Sequence, residues 1–262
     1  MAKVTVKDKV KLYLYIGKLL LNQKKRDYSK INEEYNSGIW NQKYENIDFE
    51  KWSSNYDVDD DKPRILVKNG KLFLDNRTDY INEYYQQLFD ILDSYKNESI
   101  VELGVGLGHI IFQLQKRNFK HLEGYDISEN AIKSLNKYGT EKKYSIKFGV
   151  HDLNKSFPET MIDNKIVFTH TCLEQVKRFM PNVLKNIIAG KPKLVINFEV
   201  DYNTSPLIVK KYFDARDYQN NLVNELQRLE KQKEIKIISI NKFPLSLSPV
   251  NRLSAIIWKI KD

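Results

Sequence analysis

Residues 100–109 read Ile-Val-Glu-Leu-Gly-Val-Gly-Leu-Gly-His, and no other segment restricts the fold so tightly. A β-branched run enters three glycines at alternate positions, Gly104, Gly106 and Gly108, then an apolar-periodic stretch. Glycine tolerates positive φ and lets backbone approach a ligand closely. A helix that starts at such a turn offers free N–H groups and a partial positive charge. Glu102 stands two residues before the first glycine, and Asp126 lies 24 positions beyond Glu102, at the end of the next strand candidate. In a doubly wound sheet these carboxyl ends adjoin the crevice where ligands bind.

The surrounding pattern extends this reading. Strand candidates at 99–105, 121–127, 144–150, 165–171 and 193–200 alternate with helical stretches at 109–117, 129–138 and 174–188. Ser128 is expected to cap the second of these helices and Gly139 to end it. A further helix is expected over 216–230. Strand candidates at 235–242 and 252–259 are joined only by the link 243–251. That link is too short for a parallel crossover, so these two strands should be antiparallel neighbours. The expected fold is α/β: a doubly wound, Rossmann-like, seven-stranded, mostly parallel sheet with an antiparallel C-terminal pair.

Composition divides the chain near residue 97, giving an N-terminal extension over 1–97 and a cofactor-binding domain over 98–262. Residues 4–24 read as an amphipathic helix with Val10, Leu12, Leu14, Ile16, Leu19, Leu20 and Leu21 among lysines. Such a helix caps the main domain or pairs with a second copy; a membrane-surface helix is the alternative. Residues 64–74 pattern as a hairpin about Asn69-Gly70, and 78–95 as a helix. The polar stretch 31–62 carries Tyr35, Trp40, Tyr44, Phe49, Trp52 and Tyr56, a density of aromatics that should dock on something.

Two readings of the glycine run compete. The dinucleotide fingerprint G-x-G-x-x-G wants glycine where His109 stands. Acidic-x-Gly-x-Gly-x-Gly fits, and at this point residues 98–262 resemble the class I S-adenosylmethionine-dependent methyltransferases. The resemblance rests on VELGVGLG, on GYDIS, on strand ends reading GVHDL and FTHTCLEQV, and on the terminal antiparallel pair. It implies S-adenosylmethionine as cofactor and S-adenosylhomocysteine as product. It implies that Glu102, Gly104, Gly106 and Gly108 hold the amino-acid end and that Asp126 holds the ribose hydroxyls. Ile127 would lie on the adenine, Asp152 and the Leu153 amide would meet its amino group, and Thr169 would line the sulfonium. Asp152 could instead cap a loop.

The acceptor side is read from position. His170, at the fourth strand's end, is the candidate general base, with Glu174 to orient it. Many relatives carry Glu-His where this chain has Glu174-Gln175, so no base is available at 175. Glu199, Asp201 and Tyr202, with Tyr35 and Trp40 from the extension acting as a lid, are candidates to bind a small or sugar-like acceptor through its hydroxyls. Two acids in one loop are too few for a divalent cation, so no metal site is assigned. The segment Phe168-Thr-His-Thr171 lacks the signature of amino-directed nucleic-acid methylation.

Charge and cysteine content set the remaining bounds. The net charge of +9 is mostly lysine interleaved with acids, so it reads as a solvated surface, and a nucleic-acid partner is not expected. The single Cys172 excludes an internal disulfide framework and a cysteine-rich zinc site. No apolar run reaches membrane-span length and the start lacks a signal peptide's apolar region, so a cytoplasmic enzyme, with a homodimer allowed, is expected. O-methylation of a glycan or its nucleotide-linked precursor is the favoured activity. RNA or protein methylation, and a cofactor-binding scaffold without turnover, are the alternatives.

Overall fold

The computed structural model describes residues 2–22 and 62–261, together with Glu33, Tyr35 and Phe49. Trp40, Tyr44, Trp52 and Tyr56 lie outside these residues. The first part carries β1 (Ala2–Lys3), α1 (Val6–Leu21), the hairpin strands β2 (Arg64–Lys68) and β3 (Lys71–Asp75), and α2 (Ile81–Leu92). Asn69 and Gly70 take φ of 50° and 77°, the positive-φ geometry that an Asn-Gly hairpin turn favours. Alternation follows through β4 (Ser99–Leu103), α3 (His109–Lys116), β5 (His121–Asp126), α4 (Glu129–Glu141), β6 (Ile146–Val150), β7 (Ile166–His170), α5 (Met180–Ala189) and β8 (Leu194–Val200). Then α6 (Leu207–Arg216) and α7 (Leu222–Lys231) precede β9 (Ile235–Lys242), β10 (Leu245–Ser246) and β11 (Leu253–Ile260).

Seven strands form one sheet in the order β6-β5-β4-β7-β8-β11-β9. Strands β4 to β8 pair in parallel, and β11 runs antiparallel to both β8 and β9. This is the expected α/β architecture, terminal pair included. The chain builds outward from β4 to β6, then crosses to the other side of β4 as β7. The carboxyl ends of β4 and β7 therefore border the switch-point crevice of the sheet.

Alternate side chains of each strand serve opposite faces. Ile100, Phe168 and Phe198 cluster with Leu88 of α2, Ile111 and Phe112 of α3, Leu135 of α4 and Phe213 of α6. Val101, Val167, Val195 and Trp258 cluster with Val183 and Leu184 of α5 and Leu226 and Leu229 of α7. Each fully buried side chain of this size contributes roughly 1.5–3 kcal/mol. A second, antiparallel sheet has the order β1-β3-β2-β10. Its strand β10 sits inside the link 243–251, which the sequence marked only as a connection. Gln87 of α2 seals the join: it donates from Nε2 to the Leu245 carbonyl (3.2 Å) and accepts at Oε1 from the Leu245 amide (3.0 Å).

Three local expectations are corrected. The helix expected over 216–230 is two helices, because Asp217 turns left-handed (φ 52°) and the buried Gln219 caps α7 through the Asn221 and Leu222 amides. The helix expected over 174–188 is a 3₁₀ segment, Leu173–Phe179, followed by α5. Pro181 lies in the first turn of α5, where its missing N–H costs nothing; deeper in one long helix it would break a hydrogen bond. Gly139 does not end α4, since the left-handed position falls at Lys143 (φ 56°). Ser128 does cap α4, its side chain accepting from the Ala131 amide at 3.3 Å.

Candidate active site

The turn from β4 into α3 holds Gly104, Gly106 and Gly108 at φ of 74°, 51° and 72°. Their surroundings differ. A Cβ on Gly104 would lie 2.1 Å from Cys172 Sγ, and one on Gly108 would lie 2.6 Å from Leu135 Cδ2. A Cβ on Gly106 would meet nothing within 4 Å. Two of the glycines thus let elements pack, and the middle one faces open space.

Both acids flank this turn, and both are buried. Glu102 Oε2 has no hydrogen-bond partner, and burial followed by the charge of Asp126 holds the carboxyl well above the usual carboxylate range. Leaving such an atom unsatisfied costs about 1–3 kcal/mol, and the Ile111 amide, donating to the same carboxyl, opposes the rise in pKa. Asp126 accepts the Gly106 amide at Oδ2 and the Ser128 amide at Oδ1, both at 2.9 Å. Burial raises its pKa, and the Ser128, Gly106 and Ile127 amides oppose the rise. The Ser128 hydroxyl donates to the Tyr35 carbonyl at 3.1 Å, which seats one residue of the extension at the rim of the crevice.

The next loop starts where the His151 amide donates to the Asp126 carbonyl at 2.8 Å. His151 Nε2 is buried without a partner, and desolvation lowers the imidazole pKa. Ile127 is half-buried beside it in sequence, and Leu153 is buried. Asp152 accepts the Asn154 amide at 2.9 Å, the loop-capping alternative for that residue.

At the end of β7 the side chains turn away from several sequence-level roles. Thr169 is fully buried; its hydroxyl donates to Glu199 Oε1 (3.0 Å) and accepts from Asn197 Nδ2 (3.1 Å). Trp258 Nε1 completes the chain by donating to Asn197 Oδ1 at 2.8 Å. Glu199 is buried, and its Oε1 also receives the Cys172 (3.0 Å) and Leu173 (2.9 Å) amides. Burial pushes its pKa up to about 7 against those donors. Asp201 is likewise spent, accepting from the Asn203 amide at 3.0 Å and from the Thr204 hydroxyl. The Tyr202 hydroxyl donates to Asp214 at 3.0 Å. The hydroxyl of Thr169 and the carboxylates of Glu199 and Asp201, read in sequence as groups for cofactor and acceptor, are thus occupied in shaping the loops around the crevice. Strand alternation alone does not reveal that inward turn.

His170 stands apart from this network. Its Nε2 lies 3.1 Å from the Tyr84 hydroxyl, and its ring is 6.2 Å from that of Tyr85. Tyr85 in turn lies 4.3 Å from the ring of His109, the first residue of α3. Desolvation, then the neighbouring His109, pushes the His170 pKa down to about 3. Its imidazole is therefore held in the neutral form at physiological pH. Glu174 lies in the 3₁₀ segment, where Gln175 Nε2 donates to its carboxylate at 3.1 Å. From the sequence, Tyr84 and Tyr85 are placed only within the helix expected over 78–95 and are given no role at the site. Two adjacent tyrosines in a helix with an apolar face are the signal that marks polar tips there. Asn197 was missed too, although it and Glu199 are the two polar residues in the run Leu194–Val200.

Sheet order, terminal pair and glycine turn together define the fold of the class I S-adenosylmethionine-dependent methyltransferases. No family model matches the sequence, and no curated protein matches it. Among solved structures, the chain is similar to the magnesium protoporphyrin IX methyltransferase of Synechocystis PCC 6803 with bound SAH: TM-score 0.60, 12% identity, covering 90% of this chain and 100% of that one. It is similar to the PH0226 protein of Pyrococcus horikoshii OT3, at TM-score 0.52 and 15% identity over 68% and 91% of the two chains. It is also similar to the (4+2)-cyclase SpnF, at TM-score 0.52 and 9% identity over 69% and 82%. Similarity at this level establishes the fold, and a cyclase among the matches shows why the reaction has to be argued from the site.

Proposed function

We propose that this chain is an S-adenosylmethionine-dependent methyltransferase acting on an oxygen of a small or sugar-like acceptor, such as a glycan unit or its nucleotide-linked precursor. The observation that carries the reading is the buried, unpartnered Oε2 of Glu102 beside the open side of Gly106. An ammonium group fits that oxygen, and a backbone that bears no Cβ leaves room for the chain attached to it. The residues present thus fit the cofactor's amino-acid end. Asp126, with lone pairs to spare beyond its amide donors, fits ribose hydroxyls, and the unpartnered His151 Nε2 begins the loop beyond it. When bound, the cofactor supplies a methyl group activated by a sulfonium.

The chain's own contribution is to hold the acceptor in line and to keep water out. The Tyr84–His170 pair, with Tyr85 and His109, supports that reading as a neutral, aromatic wall at the carboxyl end of β7. Such a wall offers hydrogen bonds without charge and rings on which a sugar face can lie. A hydroxyl acceptor would hydrogen-bond to Tyr84 Oη or His170 Nε2, and its proton would pass to His170 Nε2 late in the transfer and on to solvent when the site opens. Tyr35, seated on Ser128, supports a covering role for the extension.

Calorimetric titration with S-adenosylmethionine and S-adenosylhomocysteine tests the reading. Micromolar binding is expected, weakened at least tenfold in Asp126→Ala and in Glu102→Ala while both variants stay folded. A folded wild-type protein that binds neither compound overturns the proposal.

A further inference from the structure

Helix α1 has two apolar faces, and only one of them is used. Successive residues of a helix step by 100°, so i, i+4 and i+7 share a face. Leu12, Ile16 and Leu19 point one way; Ile16 is buried and the helix packs on α6. On the opposite side run Val6, Val10, Tyr13, Leu14 and Leu21, exposed by 79%, 48%, 62%, 61% and 87%. This second stripe follows a helix of 16 residues, about 24 Å long. Lys7, Lys11 and Lys18 form a row along one flank, and Lys9 lies on the other. The one acid of the helix, Asp8, is engaged at the helix's own start, accepting from the Thr5 amide (3.0 Å) and the Thr5 hydroxyl (2.6 Å). Next to α1, the neighbouring α6 repeats the composition one turn apart, with Leu207 exposed and Lys211 exposed.

We infer that this face of α1 is a docking surface for an anionic lipid membrane. The charge pattern selects that occupant. An apolar stripe with lysines on its flanks and no unengaged acid on the helix is the composition of a helix that lies in the headgroup region. Its apolar side chains enter the acyl boundary and its ammonium groups meet lipid phosphates and carboxylates. Each lysine near such a surface contributes roughly a factor of five in partitioning. A second copy of the chain fits poorly. In a two-fold antiparallel helix pair each flank meets its own copy, so the lysine row would face another lysine row. The net charge of +9 adds long-range attraction to the same surface. This inference does not depend on the reaction catalysed.

Co-sedimentation of the full chain with lipid vesicles tests it. Vesicles containing 30% phosphatidylserine in phosphatidylcholine should bind at least tenfold more protein than vesicles of phosphatidylcholine alone. The double variant Val10→Asp/Leu14→Asp should lose at least tenfold of that binding. So should Lys7→Glu/Lys11→Glu/Lys18→Glu. All of these residues are exposed, so unchanged circular dichroism and melting are expected and serve as the folding control. Equal partitioning on both vesicle types overturns the inference, as does undiminished binding by a folded Val10→Asp/Leu14→Asp variant. A stable dimer in solution that the same substitutions dissociate assigns the face to a second copy instead and overturns it as well.

Discussion

Glu199 ends a core strand, and three donors converge on its Oε1: the Thr169 hydroxyl and the Cys172 and Leu173 amides. It thereby fixes the turn in which Thr171 takes a left-handed φ of 50° and Cys172 lies against Gly104. Burial raises its pKa from 4.5 to about 7, so the folded state binds the proton more tightly than the unfolded state. The stability this gives is fully present below pH 4.5 and is lost as pH rises through 7. Relative to Glu199→Gln, the wild type should therefore lose roughly 3 kcal/mol of stability between those limits, read from denaturant unfolding at several pH values. A difference that stays flat with pH removes Glu199 from this role. His170 behaves in the opposite sense. Its pKa, lowered to about 3, leaves no imidazole titration near neutrality, so the pH–rate profile of methyl transfer should show no inflection from it between about pH 5 and 9. An inflection near pH 6.5 that His170→Gln abolishes would assign it the role of general base.

At the scale of elements, the strand–turn–helix from β4 to α3 separates packing from ligand space. Gly104→Ala sets a methyl group against Cys172 Sγ at a positive φ, and should cost about 3 kcal/mol in thermal unfolding. Gly106→Ala meets open space and should cost only about 1 kcal/mol, for its left-handed backbone. Cofactor binding should still fall at least tenfold in Gly106→Ala, because the methyl occupies the room assigned to the ligand. Calorimetry and melting on the same two proteins check both statements, and normal cofactor affinity in Gly106→Ala would refute the assignment of that space. The elements were also the most legible part of the chain. The glycine run, the alternation and the short link 243–251 sufficed for the large sheet, because each is a local pattern with one physical cause. The break between α6 and α7 was not legible, since it depends on Gln219, whose Nε2 reaches the Val200 carbonyl at 3.3 Å, a contact between distant segments. The inward turn of Glu199 and Asp201 was hidden for the same reason. An acid at a strand end has the same sequence signature whether it faces the crevice or caps a loop.

The whole molecule is tied together across its length. The small sheet takes β1, β2 and β3 from one end and β10 from the other, and Gln87 clamps the join at Leu245. Composition suggested a boundary near residue 97, yet hydrogen bonds cross it. Gln87→Ala leaves a backbone donor and a backbone acceptor without their partner, and should cost about 1–3 kcal/mol by denaturant unfolding. It should also weaken acceptor use, because α2 carries Tyr84. Unchanged stability and turnover would show that the two regions are held by other contacts. Deleting residues 1–62 removes Tyr35 from Ser128 and should raise KM for the acceptor several-fold; full activity in the truncated chain would refute the covering role.

Strand β11 lies between β8 and β9 although it follows both in the chain. During vectorial synthesis the sheet therefore waits on residues 253–260: until they arrive, β8 ends in an unpaired edge and β9 has no neighbour. Two bare rows of peptide groups are then on offer to any other unfinished strand nearby, the situation in which nascent proteins self-associate. A chain arrested shortly before β11 should accordingly be a strong client for chaperones, whereas eight further residues close both rows in a single event.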